Sequence, residues 1–255
     1  MTLFAWPRAA AFGRVVPKNK IYEHVAAGKA LKERFVQQVE QITWAYKLAP
    51  ETVNLPASPA VAEIQVFRVA LKGVELGHDI LKAIDRAIPF PLIFELVHGG
   101  RIKLAAAYKR PSDADNNRWV VGNYFETDWL AEQTPRHPLP LALNMAGLYE
   151  RLLSPLVDAR LAGSAAPPAW PEVKEAALAS YTTTNLADEP ERLSLEQRIT
   201  LTDTIATQQK EIGRIQSRLS REKQFNKRVA INAELRDAKQ KLERLTQKQA
   251  APASH

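Results

Sequence analysis

Between Glu63 and Arg110 the sequence leaves a chain little choice but to build a sheet. The runs E-I-Q-V-F-R-V-A-L, P-L-I-F-E-L-V and R-I-K-L-A-A-A-Y all have strand character, and the second and third are joined by H-G-G. Paired glycines supply the positive φ that a tight hairpin turn needs. Ahead of that hairpin, Asp79 to Ile88 places Ile80, Leu81, Ile84 and Ile88 on one helical stripe, and Pro89 and Pro91 end it. In the first run Ile64, Val66 and Arg68 alternate with Gln65, Phe67 and Val69, so both faces are largely apolar and the strand is expected to be covered on both sides. A strand, a helix and an antiparallel hairpin predict an α+β fold, with a small mixed or antiparallel sheet and packed helices.

The flanking segments are read by period and punctuation. Residues 1–26 form an N-terminal arm with scattered apolar anchors at Phe4, Trp6, Phe12, Val15 and Val16. From Lys29 to Lys47, Leu31, Phe35, Val39, Ile42 and Tyr46 recur at helical spacing, which predicts one amphipathic helix stopped by Pro50. Thr52 to Leu55 reads as an edge strand, and Trp119 to Phe125 as a further strand with a kink at Gly122. Leu141 to Val157 reads as an apolar helix. Residues 161–190 are small, proline-rich and polar, the composition of a linker, with a short helix expected at Glu172 to Leu178.

The last segment differs in kind. Leu201, Ile205, Gln208, Ile212, Ile215 and Leu219 alternate steps of four and three, and so do Ile231, Leu235, Ala238, Leu242 and Leu245, but the two seams are out of phase. One helix with a stutter would accommodate them; a reversal between Lys223 and Lys227 does so better and predicts an antiparallel helical hairpin, with Phe225 covering its end and Asn226 capping the second helix. The expected organisation is therefore an α+β domain at 1–160, a linker at 161–190, a basic coiled-coil hairpin at 191–248 and a frayed tail at 249–255. Charge follows this division. From Glu191 onward there are 14 Lys and Arg against 8 Asp and Glu, which accounts for six of the chain's net +7.

Catalytic patterns are scarce. The chain has no cysteine, which excludes disulfides, thiolate metal sites and a cysteine nucleophile. It also lacks a glycine-rich phosphate loop, an H-x-x-x-H pair and a G-x-S-x-G elbow. No metal and no cofactor is expected. A restriction-type nuclease would need paired carboxylates beside a lysine to hold Mg²⁺; Glu63, Glu95 and Lys103 are the only candidates on the sheet, and Glu95 reads instead as a residue at the sheet rim. The densest positive charge is at Arg218, Arg221, Lys223, Lys227 and Arg228, around Phe225 and Asn226, a set suited to nucleic-acid phosphates or to an acidic partner. A second basic patch is expected from Lys18, Lys20, Lys109 and Arg110. The N-terminus does not read as a secretory signal and no run is long and apolar enough to span a bilayer, so a cytoplasmic protein is expected.

In the phrases W-A-Y-K-L-A-P-E-T-V-N-L, E-I-Q-V-F, A-I-D-R-A-I-P-F-P-L-I-F-E-L, A-A-Y-K-R and R-E-K-Q-F-N-K-R-V-A-I-N-A-E-L, from Phe4 to about Leu245, the sequence resembles a bacterial family called domain of unknown function 4391. The resemblance implies a companion of DNA methyltransferases and superfamily 2 helicases in restriction-modification or phage-defence gene clusters, and it carries over no catalytic residue. The expected role is a non-catalytic accessory subunit with a helicase and a methyltransferase as partners, and DNA as a candidate ligand. The alternatives are a degenerate metal-dependent nuclease and a structural protein that self-associates through its coiled coil.

Overall fold

The computed structural model describes residues 3–112, 119–161 and 193–250. The chain divides into two compact units, Met1–Arg160 and Leu161–His255. The first is built on a mixed sheet of β2 (Ala11–Val15), β3 (Val39–Leu48), β4 (Ile64–Leu71), β5 (Leu92–His98), β6 (Arg101–Pro111) and β7 (Trp119–Glu126), in that spatial order. Neighbours are antiparallel except β4 and β5, which run parallel because α4 (His78–Ala87) crosses between them. A short β8 (Leu130–Ala131) pairs with β6, and β1 (Leu3–Phe4) pairs with β9 (Arg136–His137) in a separate two-stranded ladder.

Both faces of β4 are buried, as its composition requires. Phe67, Val69 and Leu71 join Phe94, Leu96, Ala105 and Ala107 in a core closed by Ile21 of α1 (Lys18–His24), Phe35 of α2 (Lys29–Gln38) and Ile80, Leu81 and Ile84 of α4. Ile64 and Val66, on the other face, are buried with Ile93, Leu104, Ala106 and Phe125. The H-G-G turn forms as expected, with Gly99 and Gly100 at φ 55° and 71°.

Two expectations fail and a third shifts its bounds, each for a local physical reason. The helix over 29–47 stops at Gln38, and Val39–Leu48 is a strand paired with β4. Its register shifts between Val39 and Gln41 and again between Trp44 and Tyr46. A bulge inserts a residue without turning the next one outward, so Val39 and Ile42 both enter the core at a spacing of three, which mimics a helical face. β-Branched and aromatic residues at Val39, Ile42, Thr43, Trp44 and Tyr46 fit that strand. Thr52 to Leu55 is no edge strand: Pro50 opens the single turn α3 (Pro50–Val53), the Thr52 hydroxyl accepts the Ala49 N–H at 2.8 Å, and Asn54 ends it in the left-handed region. The helix expected from Leu141 is α5 (Met145–Leu161), which starts where Asn144 Oδ1 accepts the Gly147 N–H at 2.9 Å.

The kink expected at Gly122 is a bulge. Ala107 pairs with Tyr124 but Lys109 with Val121, so Gly122 and Asn123 face Tyr108 alone. The backbone groups this disturbs are satisfied from α5. Tyr149 donates its hydroxyl to Ala107 O at 2.8 Å, accepts the Lys109 N–H at 2.9 Å, and stacks on Tyr108.

The second unit is a hairpin of α6 (Leu195–Arg221) and α7 (Phe225–Ala250), not one stuttered helix. Ile212, Ile215, Ile231 and Ala238 form its buried seam, with Leu219, Leu235 and Leu242 packed against it. Gln208, the polar residue of the first seam, donates its amide to Ala238 O at 3.3 Å. Phe225 does not cover the end, being 78% exposed. Asn226 is no cap either, since α7 starts at Phe225 and the Arg228 N–H is accepted by Gln224 O at 3.0 Å. Of the linker expected at 161–190, Leu161 ends α5; the rest of it, its short helix and the last residues of the tail lie outside the described residues.

Candidate nucleic-acid interface

The sheet does not assemble the acid and lysine set that a nuclease would need. Glu95 pairs with Leu104 across the β5–β6 ladder and Lys103 with Leu96, so alternation puts Glu95 and Lys103 on opposite faces. Glu95 is not at a rim: it is 2% exposed and accepts hydrogen bonds from Trp6 Nε1 at 2.7 Å and Arg136 Nη1 at 2.6 Å, with Arg68 Nε 3.9 Å away. Lys103 is bound instead to Glu126 at 2.5 Å. Glu63 lies just before β4, held by Lys47 at 3.3 Å and by the Gln65 amide. Each carboxylate has a cationic partner in the fold, and none shares a metal-sized site with another. Among the described residues, no group of three or more His, Cys, Asp or Glu could hold a metal ion.

The second basic patch is likewise dispersed. Lys18 Nζ donates to Val39 O at 2.5 Å and to Phe35 O at 3.4 Å, capping the end of α2, and burial holds its pKa below the ordinary lysine value. Lys20 is exposed and pairs with Glu23, while Arg110 turns onto Pro111 O at 3.4 Å. Lys109 is no surface residue: its side chain is wholly buried. The ammonium donates to Asp85 O at 2.5 Å and to Ile88 O, and lies 3.6 Å from Asp85 Oδ1, while Tyr124 donates its hydroxyl to Asp85 Oδ2. A lysine that satisfies the last carbonyls of α4 also opposes the negative end of the helix dipole. Desolvation pushes Asp85 up to about 6 and holds Lys109 below the ordinary lysine value.

A cluster with no sequence signature lies at the start of α4. His78 Nε2 is 2.9 Å from Glu126 Oε1, whose other oxygen holds Lys103, and Lys103 and Arg101 both lie over the Trp129 ring. These residues come from α4, β6, β7 and the chain beyond it, and only strand register brings them together. Glu126 takes both His78 and Lys103, and Arg101 is held against the Trp129 ring, so the cluster reads as a tie across the sheet edge.

The hairpin turn is different. Glu222, Lys223 and Gln224 make the whole reversal, and Arg218, Arg221, Lys223, Phe225, Asn226, Lys227 and Arg228 are all exposed around it. The predicted set is thus brought to one end of the hairpin. Arg218 binds Glu234 across the hairpin at 3.1 Å; Arg221, Lys223, Lys227 and Arg228 have no ion pair among the described residues. The one acid at the turn, Glu222, bends back to accept the Gln224 N–H at 2.9 Å, and that bond, with the charge of Lys227 contributing, holds its pKa below the ordinary carboxylate value. The buried seam stops short of the turn: the step beyond Leu219 is Glu222 and the step before Ile231 is Arg228.

Compared with known proteins, residues 4–242 match a family described as a domain of unknown function, DUF4391. No curated protein and no solved structure matches the chain. Among the described residues, no helix is long and apolar enough to cross a membrane.

Proposed function

The chain belongs to the family of domain of unknown function 4391, and on that premise we propose that it is a non-catalytic accessory subunit of a bacterial restriction-modification or phage-defence system. It works in the cytoplasm beside a helicase and a DNA methyltransferase, and its hairpin touches the DNA on which they act. The observation that carries the reading is the contrast in charge pairing. Arg221, Lys223, Lys227 and Arg228 project from one turn without ion pairs among the described residues, while the candidate acids and lysines of the sheet are held by partners within the fold. Ammonium and guanidinium groups displayed this way bind phosphates without a shaped pocket, by releasing condensed counterions.

Four phosphate contacts set a slope of about −3.6 for log K against log[salt] on duplex DNA, a loss of roughly 150-fold between about 50 and 200 mM salt. Fluorescence anisotropy with a labelled duplex of mixed sequence tests this. The charge-reversed triple variant Lys223→Glu, Lys227→Glu, Arg228→Glu should bind too weakly to measure at low salt. Equal binding by the variant and the native chain would remove the hairpin from DNA recognition. Co-purification with the products of neighbouring genes, with and without nuclease, tests the partners.

A further inference from the structure

Phe225 is an anomaly at the hairpin turn. It is the first residue of α7, its side chain is 78% exposed, and Val229, one helical turn on, is 53% exposed. Neither belongs to the buried seam. An exposed apolar side chain is ordinary by itself, and this one would need no explanation if its neighbours were neutral. Instead an aromatic face stands in water among Arg221, Lys223, Lys227 and Arg228.

We propose that the hairpin turn binds unpaired nucleotides, with a base stacked on Phe225 and the neighbouring phosphates held by Arg221, Lys223, Lys227 and Arg228. This rests on the nucleic-acid reading above and narrows its ligand. Charge complementarity selects an anionic occupant. The phosphates of an intact duplex satisfy the cations but leave the ring unused, because its bases are stacked on one another and show no free π-face. A single strand, a flap or a frayed end offers phosphate and base together, and stacking accepts any base, so the site needs no further hydrogen-bonding groups. Val229 lies on the same helical face four residues on and widens the apolar platform.

The experiment measures binding of the full-length chain to a labelled single strand and to the matched blunt duplex at fixed low salt, with four variants. The native chain should prefer the single strand. Phe225→Ala should lower single-strand affinity by roughly 5- to 150-fold, as loss of one stacked base does, and leave duplex affinity unchanged. Phe225→Trp should restore the preference and Phe225→Leu should not, since leucine keeps apolar area without a π-face. The exposed position makes these substitutions safe for the fold, which helix content by circular dichroism verifies. Equal affinity for strand and duplex, unaltered in Phe225→Ala, would overturn the inference and leave the duplex-binding reading standing. Full rescue by Phe225→Leu would also overturn it, pointing to an apolar protein contact. The charge-reversed triple variant, run in parallel, reads the phosphate contacts alone; no binding of either probe by the native chain would sink both readings.

Discussion

Replacing Lys109 by Met isolates the buried charge pair under the sheet. The native ammonium is wholly buried beside Asp85, which is itself 1% exposed. Removing one member of such a pair costs about 3–5 kcal/mol, because the remaining charge stays buried. For a protein of this size that lowers the melting temperature by about 6–20 °C. The pH dependence follows from the direction of each shift. Asp85 is raised to about 6 in the folded chain from an ordinary 3.8, so between those values the folded state holds a proton that the unfolded chain has released. Its contribution to stability is present at acid pH and lost as pH rises through about 6, on the order of 3 kcal/mol in all. Lys109 has a folded pKa below its ordinary value, so its contribution runs the other way and recovers only in the alkaline range. In Lys109→Met the charge that most opposes Asp85 desolvation is gone, and the folded pKa of Asp85 moves higher still. The variant's deficit should therefore be small near pH 4, where Asp85 is neutral in the folded state, and largest above about pH 7. Urea unfolding at both pH values measures it, and the double variant Asp85→Asn, Lys109→Met should recover about 1–3 kcal/mol at neutral pH. A deficit of the same size at both pH values, or no recovery in the double variant, would refute the reasoning.

Two further substitutions test the other buried polar ties. Tyr149→Phe removes the hydroxyl that serves both Ala107 O and the Lys109 N–H at the β6–β7 bulge, and should cost about 1–3 kcal/mol in chemical denaturation without changing helix content. Glu95→Gln keeps an acceptor for Trp6 Nε1 but leaves Arg136 and Arg68 without their buried counter-charge; because both arginines reach solvent, the loss should stay near about 1–2 kcal/mol, read as a drop in urea midpoint at constant m.

What could be read from the sequence was whatever depended on neighbours along the chain. The β5–β6 hairpin needs only two alternating runs and two glycines, and α4 needs only its stripe and its closing prolines. The hairpin cations are legible for the same reason, being packed into eleven residues around one turn. β3 was misread because its two bulges move inward-facing residues to a spacing of three, and periodicity cannot tell that from a helix. Lys109 looked like a surface cation in A-A-Y-K-R because its partners, Asp85 and Tyr124, arrive from 24 residues upstream and 15 downstream. The burial of Glu95 was hidden too, since Trp6 and Arg136 lie far from it in sequence and meet only once β1 and β9 pair.

The pairing of charge separates framework from working surface better than its amount does. Asp85, Glu95, Lys103 and Glu126 are fully or largely buried, and each is bound to an opposite charge, so their electrostatic energy is spent within the fold and shows little field outside. That agrees with the near-neutral sum of the first 190 residues. The hairpin reverses both properties: six of the chain's seven net positive charges lie from residue 191 onward, and at the turn Arg221, Lys223, Lys227 and Arg228 have no ion pair among the described residues. Exposed charges interact over about 8 Å at physiological salt, so cations this close together along one turn add up to a local positive field. On the reading proposed above, a ligand drawn by that field would arrive where Phe225 stands, and the ring, more than the cations, would decide what stays bound.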